Sequence, residues 1–145
     1  MLLKRFCYLL AICSLLLLSI RPALAQLVVV VNARCGVAAM SRNEVINIFF
    51  GRNRQYFNGI EAQPVDMQDS HPDRARFYDS LVGKDLADVN AYWSRQVFSG
   101  RMQPPPKLTT SDEVVRWILS RPGGIGFVDI SKVDARVRVV YELRP

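Results

Sequence analysis

Apolar positions along this chain fall into short blocks of two kinds, separated by glycine, proline or polar turns. Some are continuous β-branched runs; others are spaced by three or four residues. Leu27-Val28-Val29-Val30-Val31 is the clearest run and predicts a strand covered on both faces, as in a parallel sheet. Ser41-Arg42-Asn43-Glu44 reads as a capping box, in which the Ser41 hydroxyl takes the Glu44 N–H and the Glu44 carboxylate reaches back. Val45, Ile46, Ile48, Phe49 and Phe50 then form the stripe of a short helix, and Gly51 offers the left-handed stop. Residues 52–59 are polar and turn-rich, with Asn58-Gly59 marking a tight turn.

Pro64-Val65-Asp66-Met67 reads as a short strand. A helix start follows at Asp69 or Ser70, with a capping oxygen and a proline in the first turn. Ala75, Phe77, Tyr78, Leu81 and Val82 carry that helix to Gly83. Asp85 caps a further helix whose apolar face is Leu86, Val89, Tyr92, Trp93 and Val97, ended by Ser99-Gly100. Thr110-Ser111-Asp112-Glu113 is a second capping box, ahead of Val114, Val115, Trp117 and Ile118. Pro122-Gly123-Gly124 breaks that helix before two strands, Ile125 to Val128 and Val137 to Leu143. Short strands alternating with helices predict an α/β layered domain with a central short mixed sheet flanked by helices. Gln103-Pro104-Pro105-Pro106-Lys107 is the only linker-like stretch and is too short to divide the chain.

The first 25 residues change the charge and cysteine balance. Lys4 and Arg5 precede an apolar run from Phe6 to Ile20, and Ala23-Leu24-Ala25 follows Arg21-Pro22. This is the basic start, apolar middle and A-x-A end of a secretory signal, with cleavage expected after Ala25. The apolar run is shorter than the ~20 residues that span a bilayer, which argues against an uncleaved anchor. A lipoprotein site is disfavoured by Ile12 ahead of Cys13. Loss of Lys4, Arg5 and Arg21 takes the formal charge from +6 to +3. The remaining basic residues are spread along the chain, which gives no clustered face for nucleic acid. Cys7 and Cys13 leave with the signal. Cys35 then stays alone, either buried as a small apolar group or free to pair between chains.

No catalytic or metal-binding constellation emerges. His71 is the sole histidine and has no second ligand at metal-site spacing. A Cys35–His71 nucleophile–base pair has no support from spacing. Gly123-Gly124-Ile125-Gly126 precedes a strand instead of opening a helix, so it lacks the dinucleotide-binding context. No cofactor is called for. The best candidate for chemistry is the turn from Gln68 to Arg74. A helix N-terminus attracts anions through its free N–H groups and dipole. Ser70 can donate to an oxyanion, and Arg74 or Arg76 can add a charge-assisted bond. The competing reading is plain capping with both arginines solvated, and three features favour it. Pro72 has no N–H, and Asp69 and Asp73 place negative charge where an anion would sit. Trp93 and Tyr92 read as core, and Arg52 and Arg54 as a small solvated basic loop.

The order of these segments resembles the phosphate-binding proteins of ABC transporters. Ser41 to Gly51 is similar to that family's S-x-x-x-(apolar)-x-x-I-F-x-G segment. Pro64 to Phe77 sits where the family has a strand and a serine- and glycine-rich phosphate turn. Pro122-Gly123-Gly124-Ile125-Gly126-Phe127-Val128 resembles its P-G-x-I-G-Y-V strand entry. Tyr92-Trp93-Ser94-Arg95 and Phe98-Ser99-Gly100 resemble the central helix of a group of short exported relatives. The resemblance implies a type 2 periplasmic-binding-protein fold, here a single three-layer lobe over residues 26–145, acting in the periplasm as a non-enzymatic component. It implies phosphate or another oxyanion as ligand, at Asp69, Ser70, His71 and Arg74. Gln68-Asp69-Ser70-His71-Pro72-Asp73 lacks the glycines that let backbone approach a phosphate. The alternative is therefore an interaction or sensing module without a ligand, reporting to a membrane transporter or sensor and carrying no transmembrane segment after cleavage.

Overall fold

The computed structural model describes residues 25–144; the expected export signal, apart from Ala25, lies outside them. Six strands and four helices follow in order: β1 (Leu27–Asn32), α1 (Arg42–Phe49), β2 (Gln63–Pro64), β3 (Asp66–Met67), α2 (Pro72–Val82), α3 (Leu86–Phe98), β4 (Lys107–Leu108), α4 (Ser111–Leu119), β5 (Gly124–Asp129) and β6 (Val137–Glu142). A 3-10 turn, Ile130–Lys132, links the last two strands.

The main sheet has the order β2-β5-β1-β6. Every residue of β1 is buried, as the β-branched run implies. Its neighbours nevertheless run antiparallel on both sides, which corrects the parallel expectation. Burial on both faces reports a central strand under two helical layers and does not fix strand direction. β2 pairs with β5 in parallel, so the sheet is mixed. β5 shows the layering by alternation. A Cβ built on Gly126 would meet Val114 and Ile118 of α4. Phe127, one residue on, stacks on Phe77 of α2 at 3.9 Å between centroids and lies near Phe49 of α1 at 6.1 Å. Helix α4 therefore covers one face, and α1 with α2 covers the other.

Glycine is required where β5 enters the sheet. A Cβ on Gly123 would lie 1.7 Å from the Glu61 carbonyl oxygen, and one on Gly124 would lie 2.6 Å from the Ile118 Cα. Both capping boxes form as read: Ser41 with Glu44 on α1, and Thr110 with Glu113 on α4. Cys35 is buried, and its Sγ accepts from the Val37 N–H at 3.4 Å. Helix α3 departs from expectation at its end. Val89 and Trp93 are buried, but Val97 is exposed, as is Phe98 beside it. A second ladder pairs β3 with β4 in parallel, with Asp66 opposite Lys107 and Met67 opposite Leu108. The Pro106 carbonyl accepts from the Asp66 N–H at 2.9 Å, but Pro104, Pro105 and Pro106 have no N–H to give the ladder in return.

Candidate functional site

The turn between β3 and α2 is built differently from the anion turn expected of it. The helix starts at Pro72, and the capping residue is His71, not Asp69 or Ser70. His71 Nδ1 accepts from the Asp73 N–H at 3.2 Å. The His71 carbonyl accepts from the Arg74 N–H at 3.1 Å, and the His71 N–H goes to the Gln68 carbonyl at 2.9 Å. Pro72 contributes none. The N–H groups of residues 71, 73 and 74 are thus satisfied within the turn, and an anion arriving there would have to displace those bonds.

Arg74 is the centre of the site. Its side chain is 1% exposed, which corrects the expectation of a solvated arginine. Position 74 lies on the same stripe as the buried Phe77, Tyr78 and Leu81, at spacings of three, four and seven, so the helix aims it into the body. There Nε donates to Asp66 Oδ2 at 2.9 Å, and Nη1 faces Asn90 Oδ1 and Asp69 Oδ1, both at 3.2 Å. The guanidinium also lies 5.2 Å from the Tyr78 ring centroid. Arg76, off the stripe, is partly exposed and bonds Asp73 Oδ1 at 3.0 Å and the Ala25 carbonyl.

The acids are equally committed. Asp66 Oδ2 accepts from the Tyr78 hydroxyl at 2.9 Å as well as from Arg74, and Oδ1 accepts from the Met67 N–H at 2.7 Å. Burial raises the Asp66 carboxyl above the usual carboxylate range, opposed by the charge of Arg74 and by these donors. Tyr78 is raised well above an ordinary phenol, first by burial and then by the Asp66 charge. Asp69 is half exposed and is lowered, chiefly by its hydrogen bond from Lys107 Nζ. Its Oδ2 accepts from Asn90 Nδ2 at 3.0 Å.

The four expected ligand residues therefore do not share one role. Asp69 and Arg74 are brought together, but as partners of one another. His71 is a helix cap. Ser70 is exposed. Sequence reasoning missed Asp66, Tyr78, Asn90 and Lys107, which come from β3, α2, α3 and β4. The network ties all four elements together and forms one end of a cleft of about 520 Å³ beside α3. Among the described residues, no group of three or more His, Cys, Asp or Glu is placed to hold a metal ion. No described helix is long and apolar enough to cross a membrane.

No family model matches the sequence, and no curated protein matches it. Solved structures do match the fold. An ABC-type phosphate transport receptor from Vibrio cholerae aligns with a TM-score of 0.62 at 16% identity, over 79% of this chain and 45% of the receptor. A Clostridium perfringens protein assigned as a phosphate ABC transporter substrate-binding protein, solved with bound phosphate, aligns with a TM-score of 0.63 at 13% identity, over 79% of this chain and 44% of its own. The chain spans less than half the length of either. Residues 25–144 thus have the fold of one lobe of a periplasmic-binding protein, similar to phosphate ABC transporter substrate-binding proteins.

Proposed function

We propose that this chain is a non-catalytic module of the substrate-binding-protein type whose inherited oxyanion turn is closed by its own side chains. It works through a protein contact instead of carrying phosphate. The observation that carries this reading is the buried Arg74, already bound to Asp66, Asn90 and Asp69. Freeing its guanidinium for an oxyanion would strand a buried carboxylate, and an uncompensated buried charge is costly. The satisfied N–H groups of the turn support the same reading.

On this reading residues 1–25 deliver the module to the periplasm, with cleavage after Ala25, and its partner is a membrane transporter or sensor. The intact mass of the protein recovered from the periplasm reports that cleavage directly. Calorimetry with phosphate and with sulfate tests the closed turn. No saturable heat is expected at millimolar anion. Saturable phosphate heat that disappears in Ser70→Ala would overturn the proposal and restore an oxyanion carrier.

A further inference from the structure

The face beside α3 has features that a closed turn does not require. The 520 Å³ cleft ends at the Arg74 network and is walled by Trp93, Val97, Phe98 and Pro104. A second cleft of about 350 Å³ lies next to it, between the proline run and the C-terminal end of α4. Trp93 and Pro104 line both, so the two clefts adjoin there. Phe98 stands on the wall of the first, 96% exposed, with Val97 also exposed. An isolated surface phenylalanine is ordinary, but one at the lip of an aromatic and proline-lined groove marks a contact surface.

The charges of the second cleft do not balance. Arg54, Arg121 and Glu61 line it. Among the described residues neither arginine sits in an ion pair, whereas Asp66 and Asp69 are already matched by Arg74 and Lys107. Glu61 offsets one of the two. Arg121 lies over the Trp117 ring, its guanidinium carbon 3.4 Å from the centroid, and Nη1 donates to Ser120 Oγ at 2.6 Å. A guanidinium over a ring keeps its remaining donors for a carboxylate. The proline run has no N–H to offer an incoming chain, so backbone pairing there is limited to its carbonyl acceptors.

We infer that this face binds an extended acidic segment of a partner protein, with an apolar side chain seated against Phe98 and carboxylates meeting Arg54 and Arg121. The inference rests on the reading of the chain as an interaction module and names the chemistry of its partner. Two adjoining clefts suit a chain of several residues better than a compact ligand. The arginine excess selects acidic segments and speeds their encounter.

The test uses protein purified from cells expressing the full chain. A short synthetic peptide alternating aspartate and glutamate with leucine and phenylalanine is titrated while tryptophan fluorescence reports on Trp93 and Trp117. Saturable binding is expected, weakening strongly when salt shortens the Debye length to about 3 Å. Phe98→Ser, and separately the pair Arg54→Glu and Arg121→Glu, should each weaken binding about tenfold or more. These positions are exposed or on a cleft wall, and circular dichroism checks that each variant folds. Equal binding of a lysine-substituted peptide, tighter binding of an oligothymidylate, or full affinity in the variants overturns the inference. Silence from the peptide together with silence from phosphate also overturns it while leaving the module reading intact. Saturable phosphate heat overturns the reading beneath it.

Discussion

Replacing Arg74 by methionine probes the network most directly. Methionine keeps the unbranched stem and its packing on Tyr78 but removes the cation and its donors. Asp66 is then left 1% exposed, with the Tyr78 hydroxyl and the Met67 N–H as donors but no counter-charge. Breaking a buried ion pair from one side costs about 3–5 kcal/mol. Against a total stability of about 5–15 kcal/mol, that is a large fraction. With a urea dependence of about 2 kcal/mol per molar, the unfolding midpoint should fall by about 1.5–2.5 M. The loss should also depend on pH with a definite sign. Burial already raises the Asp66 carboxyl, and Arg74 opposes that rise, so the variant raises it further. A carboxyl raised on folding makes the native state bind its proton more tightly than the unfolded chain does. Its favourable contribution is complete below the unfolded value near 3.8 and is lost as pH climbs through the folded value. The deficit of Arg74→Met relative to wild type should therefore be largest near neutrality and shrink on acidification. Adding Asp66→Asn, which still accepts from Tyr78, should recover much of it. Urea melts of wild type, Arg74→Met, Asp66→Asn and the double variant at two pH values measure all of this. A deficit under about 1 kcal/mol at neutral pH, or one indifferent to pH and to Asp66→Asn, would refute the buried-pair argument.

Three further outcomes follow from the fold. Gly123→Ala drives a Cβ to within 1.7 Å of the Glu61 carbonyl oxygen, so the backbone must move, and a loss of about 3 kcal/mol or more is expected in a denaturant melt. Phe127→Ala removes the ring stacked on Phe77 at the centre of the core and should cost about 3–5 kcal/mol by the same measurement. In the capping box of α1, hydrogen bonds from the Ser41 N–H and hydroxyl hold the Glu44 carboxyl below its ordinary value of 4.5. That stabilisation is present above 4.5 and disappears as pH falls through the folded value, so wild type and Glu44→Gln should differ in melting temperature at neutral pH and converge in acid.

Features of the fold set by neighbours in sequence were legible from the sequence. Ser41 with Glu44 and Thr110 with Glu113 need only a three-residue spacing, and both boxes form. Gly83 ends α2 at a φ of 64°, where a side chain would be strained. Features set by distant partners were not. β1 has the composition of a doubly covered strand, but its antiparallel direction is decided by β5 and β6, roughly a hundred residues on. β4 is two residues long and follows three prolines, so it carries no periodicity to detect; its partner β3 defines it. Val97 continues the apolar spacing of α3, yet it lies exposed at the helix end with Phe98, and together they wall the groove.

The site shows where a sharper reading was available. Arg74, Phe77, Tyr78 and Leu81 share one stripe of α2, a pattern visible in the sequence, whereas Arg76 does not share it. A stripe position points a side chain into the body whatever its chemistry. A buried guanidinium must then find acceptors, because an unpaired cation in that environment is too costly to persist. Beyond Asp73, which pairs with Arg76, the nearest acids before it are Asp69, in the turn, and Asp66, in the adjoining strand; both meet Arg74 in the structure. What the sequence did not disclose is that Asn90 and Lys107 complete the set from other elements. The same position that would let an arginine reach an anion from the surface thus commits it to the interior. Pro72 and the His71 cap remove the backbone donors that could have compensated. Closure of the turn is therefore a consequence of helix phase.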